Sequence, residues 1–350
     1  MVKVSLGWRT DGMVRSGTNV WLLSSLLLSA APLSTRAGPV DEIKLNFPVR
    51  CELGSTCFIQ NYVDHDSTDQ VRDYQCGGRS YDAHDGTDIR IPDMAVQRQG
   101  VEVLATAAGT VTAIRDEIDD ISVRTIGRAA IKGKECGNGV VIDHADGWKT
   151  QYCHLAKGSV RVSRNERVSP GHPLGLIGLS GDTEFPHLHL TVRHLNKIVD
   201  PFAYEAEPTV CGSGRPIWTG LTRDQMKYRP REILNVGFTD RSPTMDLVES
   251  GEAAKYPVGL ESEAIAAYVR VIGLRQGDQQ IVTVRGPDGV ILSEYKAPVL
   301  DRDKAQYFVA SGRKRKDAAW KPGSYTATYS VSGSDGTVLR RTFEIQLDAK

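Results

Sequence analysis

The stretch 140–155, VVIDHADGWKTQYCHL, does most to limit the folds open to this chain. Two runs, Val140-Val141-Ile142-Asp143 and Thr150-Gln151-Tyr152-Cys153, flank Asp146-Gly147, a dipeptide that tolerates the backbone angles of a tight hairpin turn. The same rhythm continues on both sides. Residues 101–111 (VEVLATAAGTV) alternate and then break at Gly109. Val168-Ser169-Pro170-Gly171 reads as a turn, and residues 173–179 as another apolar strand. No long helical periodicity interrupts residues 81–204, so this region is expected to be antiparallel β, a sandwich or a closed sheet, in an all-β protein.

A second β region is expected over 233–350. Ile281-Val282-Thr283-Val284 and Val290-Ile291-Leu292 are joined by Gly286-Pro287-Asp288-Gly289, a turn with the right chemistry. Tyr325, Ala327, Tyr329 and Val331 alternate, as do Phe343, Ile345 and Leu347. About seven short strands in roughly 110 residues suggest an immunoglobulin-like β-sandwich. Residues 205–232, with Pro208, Gly212, Gly214, Pro216, Gly220 and Pro230, read as a linker, and 38–80 as a cysteine-bearing lead-in.

The N-terminus differs in kind. Lys3, Arg9 and Arg15 precede the apolar run VWLLSSLLLSAA, which is followed by Thr35-Arg36-Ala37. A positive region, a short apolar run and small residues describe a secretory signal, residues 1–37, cleaved after Ala37. The run falls short of the about 20 apolar residues of a spanning helix, so no stable membrane insertion is expected after its removal. An uncleaved signal anchor is the alternative. Basic and acidic residues balance at 43 each, and loss of residues 1–37 leaves a net charge of about −3. That balance offers no electrostatic case for nucleic acid, which calls for a clustered basic excess.

Six cysteines (51, 57, 76, 136, 153 and 211) follow the signal, an even count that suits disulfides in an oxidising, periplasmic or extracellular compartment. The pairings expected are Cys57–Cys76, Cys136–Cys153 and Cys51–Cys211. The second requires the chain to bend at Gly137-Asn138-Gly139, because simple hairpin register puts the two sulfurs out of line. No CxxC spacing points to a cysteine metal site.

Chemistry concentrates in three stretches. In EFPHLHLTVR, His187 and His189 lie two apart and share one face of a strand. In YDAHDGTDIRIP, His84 and Asp88 are separated by a turn at Gly86. In TQYCHLAKG, His154 ends a strand. Imidazole and carboxylate are good zinc ligands, and a catalytic zinc takes three protein ligands and a water. His84, Asp88 and one histidine of the 187/189 pair complete such a set; spacing alone does not choose which. His65, His144, His172 and His194 match no motif and read as surface or turn histidines.

Together these stretches resemble the lysostaphin/LytM-type zinc metallopeptidases, peptidoglycan endopeptidases of the duplicated hybrid motif fold. The H-x-G-x-D motif matches His84-Asp85-Gly86-Thr87-Asp88, and Y-x-H-L matches Tyr152-Cys153-His154-Leu155. The closing G-P-H-L-H-like motif matches Phe185-Pro186-His187-Leu188-His189. The resemblance implies one zinc held by His84, Asp88 and His189, with His154 and His187 as the catalytic pair, and peptidoglycan peptides as substrate. It covers about a third of the chain. Where the pattern usually carries small residues before the last motif, this chain has Glu184-Phe185, which bears on substrate preference. The functional expectation is an exported zinc metalloendopeptidase; the alternative is a non-catalytic LytM-like binding or activator module.

Overall fold

In the computed structural model, which describes residues 42–316, 318–334 and 336–349, the 140–155 stretch is the hairpin its sequence predicts. Ten strands make up the first β region: β1 (Phe58–Asn61), β2 (Thr87–Arg90), β3 (Glu102–Leu104), β4 (Gly109–Arg115) and β5 (Asn138–Asp143), then β6 (Trp148–Leu155), β7 (Arg167–Val168), β8 (Pro173–Leu176), β9 (His187–His194) and β10 (Lys197–Val199). Asp146 and Gly147 turn the chain between β5 and β6 with φ of 57° and 79°, backbone that Asp tolerates and Gly adopts freely. The main sheet runs β1-β2-β9-β6-β5-β4-β7, with β10 on β9, and β3 pairs with β8 apart from it. Its ladders are antiparallel.

Alternation fixes the register. On β9, Leu188, Leu190 and Val192 enter the core beside Ile89 of β2 and Tyr152 of β6. Each buried aliphatic side chain is worth ~1.5–3 kcal/mol, and a slip of one residue would exchange these for His187, His189 and Thr191. The alternation breaks at the end of β6. His154 has φ of 63°, a left-handed conformation that turns its ring out of the sequence of inward residues and returns Leu155 to the core, where it is fully buried. Opposite it, the β5–β6 register shifts between Asn138 and Val140, the bend that the Cys136–Cys153 pairing requires.

That disulfide forms; the other two expected pairings do not. Cys51 bonds Cys57 across a tight turn in which Gly54 N donates to Cys57 O at 2.7 Å. Cys76 bonds Cys211, brought there by the hydrogen bond from Gly212 N to Tyr74 O. Local turn geometry and a long-range backbone contact, neither visible in spacing, decide the connectivity.

Residues 205–232 are largely irregular, yet Ile217, Trp218 and Met226 are buried in the same core as the main sheet, so the segment is a packed strap. The second β region has seven strands: β11 (Glu232–Thr239), β12 (Ala264–Leu274), β13 (Gln279–Arg285), β14 (Ile291–Lys296), β15 (Lys304–Lys314), β16 (Gly323–Gly333) and β17 (Gly336–Leu347). They form two antiparallel sheets, β11-β12-β15 and β14-β13-β16-β17, that share a core including Val269, Val271, Val282, Val284, Tyr325 and Tyr329. Both β regions fall within one compact unit. The signal expected over 1–37 lies outside the described residues, among which no helix is long and apolar enough to cross a membrane.

Candidate metal centre

The face of β9 opposite its leucines carries His187, His189, Thr191 and Arg193. Pairing with β2 places Asp88 across from His189 and Arg90 across from His187, and pairing with β6 places Cys153 across from His189. His84 comes from the loop that leads into β2. Gly86 lets that loop approach: a Cβ there would stand 2.6 Å from His189 Nε2 and 2.8 Å from the Leu190 carbonyl. The turned end of β6 brings the His154 ring 4.7 Å from that of His187. All five predicted residues are buried and converge.

Three donor atoms form a small triangle. His84 Nε2 lies 3.2 Å from Asp88 Oδ1 and 3.2 Å from His189 Nδ1, and His189 Nδ1 lies 2.8 Å from Asp88 Oδ1. His187 Nε2 stands 3.4 Å from the same carboxylate oxygen. His154, His187 and His189 also form a cluster that offers converging nitrogens.

The opposite ring nitrogens are tied off, which orients the rings. The Tyr62 carbonyl accepts from His84 Nδ1 at 2.6 Å, the Ser180 carbonyl from His154 Nδ1 at 2.7 Å, and the Phe185 carbonyl from His187 Nδ1 at 2.9 Å. His189 is turned the other way: its Nε2 meets Asp85 Oδ1 at 3.1 Å and Thr191 Oγ1 at 3.0 Å. Each imidazole therefore turns its other ring nitrogen inward, the orientation that a metal-binding histidine needs.

Electrostatics follow from this crowding. Burial opposes charge on Asp88, but the His84 and His187 rings and hydrogen bonds from His187 and His189 hold its carboxyl well below the usual range. Burial, with His187 and His189 alongside, pushes His154 well below an ordinary histidine. Burial also works against a charged His189, yet its bonds to Asp85 and Asp88 outweigh it and raise the ring to about 9.

Two depressions open on the cluster. One, of ≈ 470 Å³, is lined by Asp88, His187, Arg124 and Phe185 and, from the second β region, Ala305 and Gln306. The other, of ≈ 350 Å³, is lined by His154, His189, Gln151 and Arg193. Tyr81 and Asp182 border both.

Residues 82–201 match the model of Peptidase family M23. This part of the chain is a peptidase M23 domain. Over 117 residues it is 31% identical to Cell division protein DipM of Caulobacter vibrioides, covering 33% of this chain and 15% of that protein. It is 32% identical to Peptidoglycan DD-endopeptidase ShyB of Vibrio cholerae over 117 residues, 33% of this chain and 22% of that protein. The chain thus spans well under a third of the length of these relatives. A zinc containing peptidase from Vibrio cholerae aligns with 25% identity and a TM-score of 0.32, over 45% of this chain and 39% of that one. The catalytic domain of lysostaphin from Staphylococcus simulans aligns with 18% identity and a TM-score of 0.26, over 40% of this chain and 85% of that one.

The donor set of the M23 domain fits a metal. Ligands about 2.0–2.2 Å from one tetrahedral zinc stand roughly 3.3 Å apart, close to the separations among His84, Asp88 and His189. Two neutral imidazoles and one carboxylate would leave a divalent ion with a formal charge of +1. Sequence reading missed Asp85, Thr191 and Arg193. Arg193 Nη2 holds Asp85 Oδ2 at 3.3 Å, and Asp85 and Thr191 hold His189. The period of two along β9 pointed to Thr191 and Arg193; Asp85 sits inside the H-x-G-x-D motif as an unspecified residue. The four remaining histidines lie away from the cluster, but they are not bare surface groups. His65 pairs with Asp200 at 2.7 Å, His144 bridges Ala108 O and Thr150 Oγ1, and His194 stacks on Trp148 at 4.2 Å. His172 stands 3.6 Å from Glu166.

Proposed function

We propose that the chain is an exported zinc metalloendopeptidase that hydrolyses peptide cross-links of bacterial peptidoglycan. One observation carries this reading: His84 Nε2, Asp88 Oδ1 and His189 Nδ1 meet within 3.2 Å of one another, each ring held by a partner behind it. In this reading residues 1–37 are the signal, 38–80 the lead-in, 81–204 the peptidase domain, 205–232 the linker and 233–350 a β-sandwich. The substrate class comes from relatives that bear peptidoglycan endopeptidase names.

His84, Asp88 and His189 would hold the zinc. Bound there, it supplies an acidified water and polarises the scissile carbonyl. His154 and His187 then handle protons on the opposite side of the cluster. His154, kept neutral by burial, suits acceptance of a proton from the attacking water. His187, its Nδ1 fixed on the Phe185 carbonyl, suits delivery of one to the departing amine. An intact set of five side chains favours catalysis over a binding or activator module.

Purified chain, loaded with zinc and given cross-linked muropeptides, should release fragments, stop on chelation and recover on zinc addition. His189→Ala and Asp88→Ala should lose both metal and activity. Cleavage unaffected by either variant, or no metal uptake by the parent chain, overturns the reading.

A further inference from the structure

Arg90 is fully buried beside the cleft, across the ladder from His187. Its guanidinium lies over the Phe185 ring, 4.1 Å from the centroid, a favourable cation–π arrangement. Phe185 in turn accepts the His187 Nδ1 hydrogen bond through its carbonyl, and its ring packs 4.8 Å from the imidazole. What holds Arg90 comes largely from outside the M23 domain. Gln306 Oε1 of β15 accepts from Arg90 Nη1 at 2.5 Å and from Arg270 Nη2 at 3.2 Å. Glu249 Oε1 accepts from Arg270 at 2.7 Å and from Arg90 at 3.4 Å. Gln60 Oε1 completes the set on Arg90 at 2.9 Å, and its amide donates to the Ala305 carbonyl. Glu184 joins the same network through Arg124, which reaches Glu249 with its other nitrogen. The Glu184-Phe185 pair, singled out by sequence, is thus where the cleft meets the second β region.

A buried arginine without such acceptors would be strongly unfavourable, so the position of Arg90, and of the ring beneath it, depends on β15 and Glu249. We propose that the C-terminal sandwich completes the peptidase site: Gln306, acting through Arg90 and Phe185, is a positioning residue for His187, and the start of β15 walls the cleft. This rests on the peptidase reading above. Ala305 and Gln306 line the same ≈ 470 Å³ depression as His187, so substrate bound there lies against the sandwich.

The test uses the full zinc-loaded chain. Gln306→Met removes the shared acceptor at nearly constant length, Gln306→Glu keeps it, and Phe185→Leu removes the covered ring without touching the sandwich. Small displacements of a reacting group lower turnover by up to about 100-fold, so Gln306→Met should reduce kcat by roughly 10- to 100-fold, with zinc content unchanged. Gln306→Glu should retain most of the parental kcat, and the Gln306→Met/Phe185→Leu double variant should be no slower than the slower single one. Parental kcat in Gln306→Met, or losses that multiply in the double variant, overturn the proposal. Should the parent chain itself prove inactive, the peptidase reading falls, and the His187 ring resonances in NMR spectra still decide this one. They move in folded Gln306→Met but not in the surface control Lys296→Ala if the relay exists, and stay at parental positions in both if it does not.

Discussion

Asp85 Oδ1 stands 3.1 Å from His189 Nε2, behind the ring, while Nδ1 of the same ring faces Asp88 at 2.8 Å. A carboxylate in that place selects the tautomer and strengthens the inward nitrogen as a donor; loss of such a partner typically weakens metal binding about 10- to 100-fold. Asp85→Ala should therefore bind zinc about 10- to 100-fold more weakly while remaining folded. Competition with a chromophoric chelator measures this. Unaltered affinity would limit Asp85 to its ion pair with Arg193.

Metal uptake should release a proton. Although burial disfavours its charge, His189 is raised to about 9 by Asp85 and Asp88, so in the metal-free protein it is protonated at neutral pH. A cation entering the triangle must displace that proton, and affinity should then rise about tenfold per pH unit between roughly pH 6 and 8. Asp88, held well below the usual carboxylate range, stays ionised throughout and adds no slope. Titration calorimetry in buffers of different ionisation enthalpy counts the protons. A flat affinity profile would show that His189 is neutral before metal arrives.

His154 should separate metal binding from turnover. Its ring nitrogen faces the cluster, but it lies outside the His84–Asp88–His189 triangle. His154→Ala should keep its zinc and lose about 10²- to 10⁴-fold in kcat, the usual contribution of a positioned acid or base. Elemental analysis beside kinetics decides. Parallel loss of zinc would reassign His154 as a ligand.

The three disulfides should differ in their effect on stability. Cys76–Cys211 closes a loop with a sequence separation of 135, against 6 for Cys51–Cys57. Chain-entropy arguments give about 5 kcal/mol for the former and about 2 for the latter. Paired Cys→Ala replacements, followed by denaturant unfolding, should reproduce that order. The reverse order would mean that the 76–211 region is held in place without its bridge.

Period-two patterns and Asp-Gly turns were enough to read both β regions, because a face that buries leucine or valine leaves a trace every second residue. The residues of the buried cluster were legible for a related reason: paired histidines on a strand are costly to bury without partners. What escaped was non-local. Cys76 finds Cys211 through a backbone contact of Tyr74 with Gly212, and no spacing encodes it. The ring of His154 reaches the cluster only because φ turns positive there, against the strand pattern. Arg90 alternates with Ile89 and Ile91 as any polar strand residue would, and its partners Glu249 and Gln306 are about 160 and 216 positions away.

Tyr62 gives its carbonyl to His84 Nδ1 and to Ser80 Oγ, and β1 covers the outer edge of β2, yet both precede the matched segment 82–201. A fragment cut to that segment would carry an imidazole N–H with no acceptor and a bare strand edge open to self-association. The smallest piece that preserves the cluster must begin upstream of Phe58.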